Sequence, residues 1–189
     1  MIHPRTTPLL ALFLLLFLAG CGRPGEEVYL APGVPFRLRP PEDGPDLFVT
    51  QEVLFQLPGD RRETALTALE NHAGVLTLVA STPMGQTLLT LRLAGPATTI
   101  DARIPIPGDL DPRALAGLVQ FTLWPMASLR QGLTDPATEI REQDATRTLL
   151  KKGRIVWTAS REGSAPPFKE VLLENPALHL AVRIRTLAP

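Results

Sequence analysis

Leu47-Phe48-Val49-Thr50-Gln51-Glu52-Val53-Leu54-Phe55-Gln56-Leu57 is the stretch from which the fold is read. Leu47, Val49, Val53, Phe55 and Leu57 share one face, while Thr50, Glu52 and Gln56 share the other. A period of two marks a strand with one buried side. Pro58-Gly59-Asp60 then turns the chain, and the same rhythm repeats. Strands are expected over 63–70, 75–80, 87–93 and 98–104. Asn71 to Gly74, Pro83-Met84-Gly85 and Gly95-Pro96 punctuate them. Over 63–70 the residues Ala65, Leu66, Ala68 and Leu69 would also suit a helix, but turns on both sides favour a strand. Short strands joined by tight turns predict an antiparallel meander.

The rhythm changes at Asp111-Pro112, a helix-start signal with a capping carboxylate and proline at the first helical position. Leu115, Leu118, Val119 and Thr122 follow at helical spacing, and Pro125 stops the run. Met126, Leu129 and Leu133 predict a short second helix ending near Gly132. Strands return over 138–142, 146–150, 154–160, 168–173 and 178–186. In the strand over 154–160, Ile155, Trp157 and Ala159 are expected on one face. In the last, Leu178, Leu180, Val182 and Ile184 point in while His179, Arg183 and Arg185 point out. The expected fold class is α+β: a curved antiparallel half-open barrel with a helical insertion over 111–132 as lid or plug. A sheet this long must cover its apolar face, and those helices are the available cover.

Outward from this domain, residues 22–46 are dense in proline and glycine and predict an extended tether. Within it Val28, Tyr29, Leu30, Val34, Phe36 and Leu38 could pack on the domain. Before it lies an apolar run from Leu9 to Ala19, preceded by Arg5 and ending in Leu18-Ala19-Gly20-Cys21. Basic start, apolar centre and small residues at the cut describe a signal peptide. The run is too short for a membrane span, which needs about 20 apolar residues. Cys21 is the single cysteine, so no intramolecular disulfide can form. Leu-Ala-Gly-Cys matches the lipobox of bacterial lipoproteins. That resemblance implies cleavage before Cys21, a diacylglycerol on its sulfur and an acyl group on its new N-terminus. By the sorting rule of such lipoproteins, an aspartate after the cysteine would retain the protein in the inner membrane. Gly22 stands there, which implies the outer membrane. The expected organisation is a signal peptide over 1–20, lipidated cysteine and tether over 21–46, and a β-domain over 47–189.

Composition bounds the function. The precursor carries 19 Lys+Arg and 19 Asp+Glu. Residues 1–20 include Arg5 and no acid, so the processed chain has a side-chain balance of −1. No concentrated basic face suggests nucleic acid. Aromatics make up 5% of the chain, so a cavity would be lined by aliphatic groups. The processed chain has two histidines, His72 in an expected turn and His179 on an expected polar strand face. Neither sits in a catalytic or metal-ligating pattern, and no glycine-rich phosphate loop follows a strand. A non-enzymatic protein without metal or organic cofactor is expected. Arg147 is expected to pair with a carboxylate on the sheet.

Several motifs carry a family resemblance: Ser81-Thr82-Pro83-Met84-Gly85, Leu123-Trp124-Pro125 with Leu129 after it, Arg147 before a Lys-Gly turn, and Leu173-Glu174-Asn175. With these the chain resembles bacterial lipoproteins of unknown function found in aryl-polyene biosynthesis clusters. More distantly it is similar to the LolA/LolB lipoprotein carriers and receptors. The LolB-like receptor has a Pro-Leu-Gly turn, a helical segment and Ser-Leu-Arg-Gln. Here Pro83-Met84-Gly85 and Ser128-Leu129-Arg130-Gln131 stand in that order. The resemblance implies an apolar cavity for acyl chains, with Met84 touching membrane or cargo. Leu115, Leu118, Val119, Trp124, Met126 and Leu129 would form the cavity or its lid. A monomeric, periplasm-facing outer-membrane lipoprotein is expected, binding a lipid-like ligand or lipoprotein cargo, with aryl-polyene lipid one candidate. The competing expectation is a scaffold lipoprotein of an envelope complex with a filled core, and a weaker one is an accessory enzyme subunit.

Overall fold

The computed structural model describes residues 26–95, 97–103 and 111–187. The signal segment, Cys21 and Gly22 lie outside the described residues. A two-stranded hairpin comes first, β1 (Glu27–Ala31) and β2 (Val34–Arg37). Five strands follow: β3 (Leu47–Leu57), β4 (Arg61–His72), β5 (Val75–Ser81), β6 (Thr87–Ala94) and β7 (Ala97–Ala102). Two helices come next, α1 (Ala114–Leu123) and α2 (Met126–Gly132). The chain ends with β8 (Thr138–Gln143), β9 (Thr146–Lys151), β10 (Arg154–Glu162), β11 (Glu170–Asn175) and β12 (Leu180–Thr186).

Strands β3 to β12 form one ten-stranded antiparallel sheet in the order β7-β6-β5-β4-β3-β12-β11-β10-β9-β8. The first meander runs outward from β3, and the second runs back inward until β12 pairs with β3 through Val182–Phe55 and Ile184–Val53. The outermost strands, β7 and β8, do not pair with each other. The sheet is therefore open and not closed into a barrel. The link from β7 to β8 joins opposite edges, so it must cross one face of the sheet. Both helices lie in that link, which is why they cover the sheet.

Residues 27–43 form a hairpin packed on the domain, as their apolar residues allowed, rather than an extended tether. Val28, Leu30, Val34, Phe36 and Leu38 are buried in the same core as the sheet and helices, while Tyr29 is exposed. Pro32 and Gly33 form the turn of the hairpin, Gly33 with a φ of 69°. Pro35 sits in a two-stranded ribbon, where a missing N–H is tolerated. Proline and glycine here punctuate a hairpin, and apolar alternation decides its packing. The segment is pinned by Asn71, whose Nδ2 donates to the carbonyls of Pro41 at 3.0 Å and Pro45 at 2.7 Å. Asn71 is thus a buried strand residue, not the turn residue expected.

Three local readings also change. A bulge between Ile155 and Trp157 takes Ile155 out of the inward face, leaving it half exposed. His179 lies in the turn before β12 with a φ of 48°, not on a strand face. Helix α1 starts at Ala114; Asp111 caps the preceding turn, its carboxylate accepting the Arg113 N–H at 2.9 Å.

Candidate functional site

Helix α1 is covered on two sides. Ala116, Gly117, Gln120 and Phe121 are buried, and Gly117 faces the hairpin. A Cβ on Gly117 would stand 2.5 Å from Leu30 Cδ2, so glycine permits the close approach of helix and strand. Gln120 clamps one backbone residue: Arg39 N–H donates to its Oε1 at 2.9 Å, and its Nε2 donates to the Arg39 carbonyl at 2.7 Å. Trp157 reaches from β10 to the same hairpin, its Nε1–H donating to the Leu30 carbonyl at 2.8 Å.

The other side of α1 faces the sheet across a partly open apolar cavity of about 180 Å³. Leu115, Leu118, Val119, Thr122 and Leu123 form its roof. Val53, Phe55, Leu69, Leu78, Val182 and Ile184 are in its floor, with Trp157 and Phe168 also on its surface. Among the described residues no charged side chain lines it, and its polar members are Gln51, Thr67 and Thr122. Thr122 Oγ1 donates to the Leu118 carbonyl at 2.8 Å, which removes its need for another partner. Thr67 is buried and its hydroxyl has no hydrogen-bond partner.

Of the residues the sequence singles out, Leu115, Leu118 and Val119 meet at this cavity. Trp124, Met126 and Leu129 are not in its lining. Trp124 and Leu129 are fully buried core, and Met126 packs against that core half-buried. The reason for Trp124 lies in the chain direction. Pro125 begins α2 at that point, and the Trp124 ring turns to Gly44, where a Cβ would stand 2.5 Å away, while Nε1–H donates to the Pro40 carbonyl. Met84 stands at the tip of the β5–β6 hairpin with 98% of its surface exposed. Gly85 N–H closes that turn on the Thr82 carbonyl at 2.9 Å, and Gly85 adopts a φ of 84° that disfavours other residues. Ala80 and Leu89, paired across the same hairpin below the tip, line the cavity.

Sequence reasoning missed Trp157, Phe168, Gln51 and Thr67 as cavity residues. Gln51 and Thr67 carried a usable signal: each is a polar residue at an inward position of an alternating strand.

Beside the cavity Arg147 is buried and bonds α1 to the sheet. Its Nη1 donates to the carbonyls of Phe121 at 2.6 Å and Trp124 at 2.9 Å, at the C-terminal end of α1. Its Nε and Nη2 meet Glu142 at 2.9 and 2.7 Å. Arg161 bonds the other oxygen of Glu142 at 3.0 Å and lies over the Phe168 ring. Burial would raise the Glu142 pKa, but hydrogen bonds from Arg161 and Arg147 outweigh it and hold the carboxyl below its ordinary value. Burial lowers the Arg147 pKa against the opposing pull of Glu142, yet a guanidinium remains charged. This group satisfies helix carbonyls that would otherwise lack partners. His72 pairs with Asp46 at 2.9 Å on the surface, which raises its pKa. Neither His72 nor His179 lines the cavity. Among the described residues no group of three His, Cys, Asp or Glu could hold a metal, and no helix is long and apolar enough to cross a membrane.

A family model described as "Protein of unknown function (DUF3261)" matches residues 49–188, well over half of the chain. The match begins inside β3 and so takes in both helices and nearly the whole ten-stranded sheet. No curated protein matches the chain.

Proposed function

We propose a carrier function for this chain, which belongs to the family described as Protein of unknown function (DUF3261). Held in the outer membrane by the lipids on Cys21 and facing the periplasm, it binds one hydrophobic chain of a lipid-like molecule under α1 and assists its transfer into the membrane. The function is non-enzymatic and needs no cofactor, and the protein acts as a monomer. The observation that carries this reading is the largely apolar cavity of about 180 Å³ between α1 and the sheet. Apolar concave sites with few polar groups are the usual form of a small-molecule site, and a volume of about 150 Å³ is already enough for a molecule the size of benzene. The exposed Met84 fits the same reading, because it ends the hairpin whose inner residues reach the cavity. By resemblance to LolB-like receptors it would enter the bilayer or touch cargo, and by resemblance alone aryl-polyene lipid is one candidate cargo.

One observation favours the scaffold alternative. The cavity is smaller than the roughly 300–1,000 Å³ usual for small-molecule sites. A whole lipid therefore requires the site to open, whereas a scaffold requires nothing of it. Native mass spectrometry of periplasmic Cys21→Ser protein separates the two. A carrier shows a stoichiometric lipid adduct that Val119→Glu abolishes and Met84→Glu retains while losing delivery to vesicles. Ligand-free protein that takes up no added lipid contradicts the carrier and leaves the scaffold.

A further inference from the structure

A second, polar groove of about 600 Å³ adjoins the cavity, because Leu123 and Phe168 line both. On its wall the guanidinium of Arg161 lies 5.0 Å from the centre of the Phe168 ring, so a positive charge stands where apolar and polar surfaces meet. Arg161 and Arg147 share one carboxylate. Among the described residues Glu142 is the acid within ion-pair distance of both, at 3.0 Å and 2.7 Å. Their side chains are 8% and 4% exposed, so the trio carries a surplus positive charge largely out of water. Burial first, and the charge of Arg161 after it, act to lower the Arg147 pKa against the pull of Glu142. The groove also carries two further acids. Asp43 is already bonded by Arg39 at 3.0 Å and by Ser128 at 2.6 Å. Asp144, in the turn between β8 and β9, stands exposed.

We infer that this groove takes the head of an aminophospholipid, its phosphate on Arg161 and its ammonium on Asp144, while one acyl chain enters the cavity past Phe168. This rests on the carrier reading and names its ligand class. A phosphate supplies the negative charge that Arg147, Glu142 and Arg161 together lack, and a guanidinium bonds phosphate oxygens in a fixed fork. The exposed carboxylate of Asp144 suits a primary ammonium. The head stays in an open groove in contact with water, so neither of its charges is buried alone. The cavity then has to hold part of one chain rather than a whole lipid. A phosphate ester without a chain would use the groove and leave the adjoining apolar space unfilled.

The test uses the full chain carrying Cys21→Ser, titrated at pH 7 with octanoyl lysophosphatidylethanolamine, octanoyl lysophosphatidylglycerol, methyl octanoate and glycerophosphoethanolamine. Binding is read from tryptophan fluorescence, since Trp157 lines the cavity and Trp124 the groove. The ethanolamine lipid binds most tightly. Arg161→Gln weakens both lysophospholipids about tenfold or more, the worth of a charged hydrogen bond, and leaves methyl octanoate within about twofold. Arg161→Lys keeps the charge and retains the preference for the lysophospholipids over methyl octanoate. Asp144→Asn is tolerated by the backbone, whose φ there is 52°. It weakens the ethanolamine lipid about two- to fivefold, the worth of an exposed ion pair, and leaves the glycerol lipid unchanged. If Arg161→Gln weakens methyl octanoate as much as the lysophospholipids, or weakens none of them, the head contact is overturned and the carrier stands. If Asp144→Asn acts on both lysophospholipids alike, or on neither, the ammonium contact is overturned. Glycerophosphoethanolamine bound as tightly as its lipid overturns the link between groove and cavity. If no ligand with a chain binds, the carrier reading falls and this assignment with it.

Discussion

Arg147 shows how one side chain can hold two layers together. Its guanidinium bonds two carbonyls at the end of α1 and the carboxylate of Glu142 on β8. Glu142→Gln leaves the Arg147 charge buried without its counter-charge. Destabilisation of about 2 kcal/mol at pH 7 is expected, discounted from a fully buried pair because Glu142 is about one-third exposed. The sign with pH follows from the lowered folded pKa of Glu142. Its contribution is present above the unfolded carboxylate value and is lost as pH falls through the folded one. Urea unfolding of the two proteins should therefore differ at pH 7 and converge in acid, below the ordinary carboxylate range. A gap that persists or widens there would contradict the role given to Glu142. The partner of Arg147 was legible in principle. A two-residue turn at Asp144-Ala145 places Glu142 directly opposite Arg147. The helix carbonyls were not legible, because they come from a distant segment that only the crossing link brings near.

At the scale of elements, α1 is the piece the sequence reveals by half. Leu115, Leu118, Val119 and Thr122 announce one face by apolar spacing, and that face roofs the cavity. The other face is made of Ala114, Ala116, Gly117 and Gln120, small or polar residues that give no hydrophobic stripe. They are buried because the β1–β2 hairpin lies against them, and the hairpin itself reads locally as proline-rich linker. Gly132 is a similar case. It ends α2 as expected, but a Cβ there would stand 2.4 Å from the Phe36 ring, so packing explains it without any left-handed backbone. Gln120→Leu tests the contact between hairpin and helix. It leaves the Arg39 N–H and carbonyl without their partners, and a loss of about 2–4 kcal/mol in urea unfolding is expected. Ligand uptake by the protein that remains folded should be unchanged, since the cavity lies on the opposite side of α1. Unaltered stability would mean that the hairpin does not depend on Gln120.

Across the whole molecule, the strands of both meanders were legible because alternation and turns are local signals. The pairing of β12 with β3 was not, since nothing local marks which distant strand will lie beside another. That pairing places the two meanders in one open sheet and leaves β7 and β8 as its edges. It also forces the connection between those edges to carry the helices over the sheet. The cavity follows from this arrangement, because α1 is held on its far side by the hairpin and faces the sheet mainly with aliphatic side chains. If the proposed guest site is real, the space there should accept a larger side chain.

Thermal unfolding of Val119→Phe, with and without methyl octanoate, tests that claim most directly. If the space under α1 is an empty ligand site, the phenyl ring fills it. The melting temperature then stays level or rises by up to about 3 °C, and the ester that stabilises the native chain no longer stabilises the variant. If the interior is already packed, the ring overcrowds it. A fall of about 4 °C or more, with the ester leaving both proteins unchanged, would contradict the account.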